Sequence, residues 1–109
     1  MSTPNTIPPA VVLLLQSLIT PTDDGIASRV LAKGSGGSVT IFAFAAGQEL
    51  SEHQTSADAL VLVLEGAFDL TIAGTVVRAT PGTVVRMPAN VPHAVHARDA
   101  SRMLLILLR

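Results

Sequence analysis

The chain has 109 residues, the length of one domain with one core, with 49% hydrophobic and only 14% charged residues and a formal net charge of −1. No basic stripe or long run of one charge exists, so the electrostatic footprint of a nucleic-acid binder is absent. The 0 cysteines exclude disulfides, thiolate metal sites and thiol nucleophiles and fit a cytoplasmic location, while the lack of Trp and Tyr argues against stacking of bases or sugars.

Met1 to Pro9, rich in Pro, Ser and Thr, reads as a loose tail. Ala10 to Ile19 is apolar but too short to span a bilayer, and it lacks the basic flank and small-residue cleavage site of a signal peptide. Pro8 and Pro9 suit a helix start. The Val-Val-Leu-Leu-Leu run has no clear period, so helix and strand both remain open, with helix ahead. Pro21 to Gly25 is a turn. Residues 1–25 form a tail and apolar segment, which is free to reach a partner subunit as an exchanged arm, and residues 26–109 form the domain proper.

From there strands and turns alternate. Ile26 to Lys33 places Ile26, Ser28, Val30 and Ala32 on one face, Gly34 to Gly37 is a hairpin loop, and Ser38 to Ala46 is rich in strand formers. Gly47 to His53 reads as a polar loop. Leu60 to Leu64 is an unbroken apolar run, the mark of a strand buried on both faces. Glu65-Gly66 is a turn, which gives Glu65 a structural role. Ala67 to Ala73 alternates, with Phe68, Leu70 and Ile72 on one side and Asp69 and Thr71 on the other. Gly74 and Pro81-Gly82 bracket Thr75 to Ala79 and lead into Thr83 to Met87. Met87 to Ala97 contains Pro88, Asn90 and Pro92, a stiff loop that hands His93 to the start of a strand. A last strand runs from Arg102 to Leu108.

About eight short strands with turns between them make an all-β sandwich or barrel. Strands apolar on both faces need a second layer, most simply a homodimer packing sheet on sheet.

The chemistry rests on 3 histidines. His93 and His96 lie three apart, so on a strand they point to opposite faces. His93 points in and His96 points outward or to an interface. His53 reaches the same cavity as His93 if the two segments are neighbours, and Thr55 shares the face of His53. Arg29, Arg78 and Arg86 could line an anion pocket, although isolated strand arginines usually snorkel at an edge. Met87 shares parity with Val85 and is a cavity-lining candidate. Gly34 to Gly37 sits between strands and is no phosphate cradle, and no serine occupies a nucleophile elbow.

Two motifs are spread over this pattern. The first is Gly47, five residues, His53, one residue, Thr55, then Ala59 and Gly66; the second is Gly82, five residues, Pro88, one residue, Asn90, two residues, His93, three residues, Ala97. With the wording Gly-Gln-Glu-Leu-Ser-Glu-His and Met-Pro-Ala-Asn-Val-Pro-His-Ala, the chain over residues 26 to 108 resembles the cupin family, and in particular small single-domain bacterial cupins. The resemblance implies a jelly-roll β-barrel with a site in its cavity. Metal-binding cupins typically use three His and one Glu. Thr55 and Ala59 stand in two of those four slots, which leaves His53 and His93 as metal ligands.

A third ligand would have to come from Gln48, Glu49, Glu52 or Asp58, or from water. Imidazole suits divalent Zn, Ni, Fe, Mn or Cu. Val61, Val63, Phe68, Leu70 and Ile72 are the expected apolar lining. The first expected function is a small barrel binding a divalent metal or small ligand through His53 and His93, which acidification would release. The alternatives are a metal-dependent oxygenase, isomerase or decarboxylase, and a metal-free sensor or interaction barrel.

Overall fold

A computed structural model describes residues 6–109. It contains nine strands among the described residues: β1 (Ile26–Gly34), β2 (Gly37–Phe44), β3 (Glu49–His53), β4 (Asp58–Glu65), β5 (Phe68–Ile72), β6 (Thr75–Ala79), β7 (Val84–Met87), β8 (His93–Ala97) and β9 (Ser101–Leu108). They form two antiparallel sheets, β1-β2-β9-β4-β7 and β3-β8-β5-β6, closed face to face as a jelly roll.

Alternation along the strands makes the core. Ala59, Val61 and Val63 of β4 point inward with Met103 of β9 and Phe44 of β2, and meet Phe68 and Leu70 of β5 and Val95 and Ala97 of β8. Phe44 and Phe68 meet edge to face with centroids 5.1 Å apart, and both are fully buried. The aromatic pair and the valines of β4 thus pack as solid core. Val61, Val63, Phe68 and Leu70 fill the barrel interior rather than lining an opening, and Ile72 packs against them. Period-2 parity selects the inward face but not the depth along the barrel, so the expected lining was assigned to the wrong level.

Leu60, Leu62 and Leu64 of β4 are half-buried on the outer face of the five-stranded sheet, so the run is covered on both sides only in part. Part of the second layer comes from the chain itself. Leu18 packs with Leu31 and Ile41, and Ile7, Leu15 and Ile19 join them against Val39, Leu64 and Leu104. The tail expected over Met1 to Pro9 lies partly outside the described residues. Ile7, within them, is tied down: its N–H donates to the Leu31 carbonyl at 3.0 Å. A bulge between Val30 and Ala32 turns Leu31 onto this outer cluster and breaks the simple alternation expected for β1.

The helix expected over Ala10 to Ile19 shrinks to one 3₁₀ turn, Leu15–Leu18. Its N-cap position is Leu14, which offers no side-chain acceptor, and two β-branched valines precede it. The segment Gly47 to His53 is also not a loop throughout, since Glu49–His53 is β3. As an edge strand it pairs only with β8 and is mostly exposed, so it carries no apolar alternation by which to recognise it.

Gly66 turns β4 into β5 at φ 79°, and a Cβ there would sit 2.0 Å from Ser101 Oγ. That hydroxyl accepts the Ala67 N–H at 3.0 Å and donates to the Asp99 carbonyl at 2.8 Å. The glycine slot of the first motif is therefore a close approach between two turns at the end of the barrel where β4 meets β9. Nearby, Glu65, expected in a turn, ends β4 instead and pairs with Arg102.

Candidate functional site

The rigid loop after β7 is pinned from several sides. Asp58 Oδ1 accepts the Ala89 N–H at 2.9 Å, and Oδ2 accepts from Arg86 Nη2 at 2.8 Å and Nε at 3.2 Å. The Ala89 N–H, then the Arg86 guanidinium, hold the Asp58 carboxyl below the usual carboxylate range. The Asn90 N–H donates to the Thr55 carbonyl at 2.7 Å, and the Pro92 carbonyl accepts the Ala73 N–H at 2.9 Å. Asn90 has φ 62°, the left-handed conformation, which explains how it stands in the glycine slot of the second motif.

This loop delivers His93 to the first position of β8. His93 is 4% exposed and faces inward with Val95 and Ala97, whereas His96 faces outward opposite Glu49. His53 ends β3 and is the register partner of His93. The two rings meet edge to face, with centroids 4.4 Å apart at 71°. The adjacency expected for these residues is thus present.

The backbone determines how each ring is presented. His53 Nδ1 lies 2.9 Å from the Ser51 carbonyl and His93 Nδ1 lies 3.2 Å from the Val91 carbonyl. A carbonyl oxygen can only accept, so each Nδ1 is placed to donate, which leaves Nε2 as the nitrogen of the neutral ring that can bind a ligand. Burial first, then repulsion from His53, lower the His93 pKa below 6.5, against a smaller upward pull from the Val91 carbonyl. The result is a pair of imidazoles, each with a carbonyl against Nδ1, which is how metal-ligating histidines are commonly oriented.

They open into a cavity of about 160 Å³, lined also by Leu50, Thr55, Ala59, Met87, Val95, Met103, Leu105 and Leu107. Met87 is therefore a lining residue, as its parity implied. Met103, by contrast, lies inside an aliphatic run that gives no sign of a site.

The complete three-His, one-Glu shell does not fit this chain. The Thr55 hydroxyl donates to the Ala57 carbonyl at 3.0 Å, and Ala59 brings only a methyl group to the wall. Among the described residues no group of three or more His, Cys, Asp or Glu could hold a metal ion. Two of the reserve ligands are engaged elsewhere and two lie on the exposed edge strand. Asp58 is occupied by the loop, Gln48 donates to Asp24 at 2.8 Å, and Glu49 and Glu52 are exposed. Nor do the arginines converge on an anion site. Arg86 pairs with Asp58, Arg78 with Asp69 at 3.5 Å, and Arg29 donates to the Leu18 carbonyl at 3.2 Å. Asp58, a residue whose positioning role sequence reading missed, was detectable only once its contact with Ala89 across 31 positions is known. No helix among the described residues is long and apolar enough to cross a membrane.

Comparisons with known proteins agree with this architecture. The family model described as "Cupin domain" matches residues 40–108. A conserved protein of unknown function from Streptococcus pyogenes is 35% identical over 100% of this chain and 96% of its own, with a TM-score of 0.91. A cupin superfamily protein from Desulfitobacterium hafniense is 30% identical over 94% of each chain, with a TM-score of 0.87. A cupin 2 conserved barrel domain protein from Leptotrichia buccalis is 33% identical over 87% of this chain and 46% of its own, with a TM-score of 0.83. No curated protein matches the chain.

Proposed function

The chain belongs to the cupin family, and from that premise we propose that it binds a metal ion or a small metal-linked ligand in the barrel cavity through His53 and His93. The observation that carries the reading is the pairing of the two rings, each with a backbone carbonyl against its Nδ1, at the mouth of one cavity. Two imidazoles are a binding pair but an incomplete shell. Ligand binding is favoured over catalysis, because two protein ligands fall short of the three that usually hold a catalytic metal. The test is equilibrium dialysis of tag-free protein against a series of transition metals. One bound ion per chain, lost in both His53→Ala and His93→Ala, supports the reading; retention of the metal in both variants refutes it.

The same reading includes a cytoplasmic homodimer. The cysteine-free composition supports the compartment. Uncovered apolar surface supports the dimer: Val11 is 53% exposed, Val12 100%, Leu13 38% and Leu14 75%. The half-covered outer face of the five-stranded sheet carries a shallow groove of about 310 Å³ walled by Val39, Ile106 and Leu108. A second copy is the simplest cover for apolar surface of this kind.

A further inference from the structure

The donor set of the cavity points to a particular class of ion. We propose that the site takes a cuprous ion, held between Nε2 of His53 and Nε2 of His93 with the thioethers of Met87 and Met103 as its soft neighbours. The inference rests on the reading that His53 and His93 bind metal, and it specifies which metal.

Charge makes the first selection. The cavity lining holds no carboxylate: it consists of two imidazoles, a threonine hydroxyl, two thioethers and aliphatic side chains. The desolvation cost of an ion rises with the square of its charge, so a carboxylate ligand favours a dication over a monocation. Here Ala59 stands where the family motif has its glutamate, and Asp58 is spent on Ala89 and Arg86. A monovalent metal needs no such compensation.

Softness makes the second. Thioethers select Cu(I) among the biological first-row ions, while imidazole accepts it as well. Both methionines that line the cavity are almost fully buried, Met87 at 2% and Met103 at 1% exposure. Met87 is the register partner of Ala59, so a sulfur-bearing side chain borders the space left by the missing carboxylate. Met103 faces inward from β9 in the same cavity. Low coordination number is also natural for a closed-shell cuprous ion, which accepts two nitrogens and one or two sulfurs without further ligands.

Methionine is also a common filler of irregular cores. Leucine, which is similar in volume, keeps the packing and removes the sulfur, so it separates the two roles. The experiment titrates tag-free full-length protein with Cu(I) without oxygen, in competition with a chromogenic cuprous chelator, and records X-ray absorption of the loaded protein. The expected result is one cuprous ion per chain with nitrogen and sulfur neighbours, not displaced by equimolar Zn(II) or Ni(II). The double variant Met87→Leu/Met103→Leu should weaken Cu(I) by at least roughly tenfold while its melting temperature stays near that of the parent. Unchanged Cu(I) affinity in that variant, an absorption spectrum without sulfur, or displacement by Zn(II) overturns the inference while leaving a His53/His93 metal site intact. If His53→Ala and His93→Ala leave all metal binding unchanged, the underlying reading falls and this inference falls with it.

Discussion

Ala59→Glu restores the carboxylate of the family motif to its slot and tests whether that slot faces the cavity. Ala59 is 1% exposed and lines the wall with Met87, Val95, Met103, Leu105 and Leu107. A glutamate there has no lysine or arginine to pair with among the cavity-lining residues, and burial disfavours an imidazolium at His93. It therefore stays protonated in the metal-free fold, its pKa raised by burial from about 4.3. Carrying that proton at pH 7 costs about 3–4 kcal/mol, the free energy of a pKa raised to neutrality or beyond. For a domain of this size that lowers the melting temperature by about 15 °C. The sign follows from proton uptake. The folded state binds more protons than the unfolded state above about pH 4.3, so the deficit grows with pH and vanishes below it. A saturating dication supplies the missing charge partner, and at about 100 times its Kd it returns about 2.7 kcal/mol. The assay is thermal unfolding of parent and variant at about pH 4 and about pH 7, with and without Zn(II). A variant equal to the parent at neutral pH, and indifferent to Zn(II), would refute the claim that position 59 faces a carboxylate-free cavity.

Because burial and the neighbouring His53 lower the His93 pKa, the unfolded chain takes up a proton below about pH 6.5 that the folded chain resists. Stability should fall as pH drops through that window, and His93→Gln should flatten the dependence of the urea midpoint on pH; an unchanged slope would count against it. Ser101→Ala strands the Ala67 N–H and should cost about 1–3 kcal/mol in urea unfolding, where a loss below about 0.5 kcal/mol would mean that water replaces the hydroxyl. Val12→Asp combined with Leu14→Asp should convert the protein to a monomer by light scattering without lowering its strand content by circular dichroism; a parent that is already monomeric contradicts the dimer.

What the sequence made readable follows from how local each signal is. Strand parity alone separates His93 from His96, because three positions along a strand always reverse the face. The stiffness of the loop before His93 is visible in Pro88 and Pro92. Its anchoring by Asp58 is not, since that contact joins β4 to a loop beyond β7. β3 escaped notice because an exposed edge strand has no apolar face to display. Depth within the barrel was equally hidden. Phe68 read as cavity lining, yet it closes the core, while Met103, in a run apolar on both faces, opens onto the cavity. The N-terminal segment misled for a related reason, as its apolar residues answer to a tertiary surface rather than to a helical period.

The most direct test of the central claim is a crystal structure of the metal-loaded, tag-free protein, with anomalous data collected at the absorption edge of the bound metal. The account predicts one anomalous peak per chain, between His53 Nε2 and His93 Nε2. A loaded protein whose anomalous peaks all lie elsewhere, for example at the outward-facing His96, would contradict it.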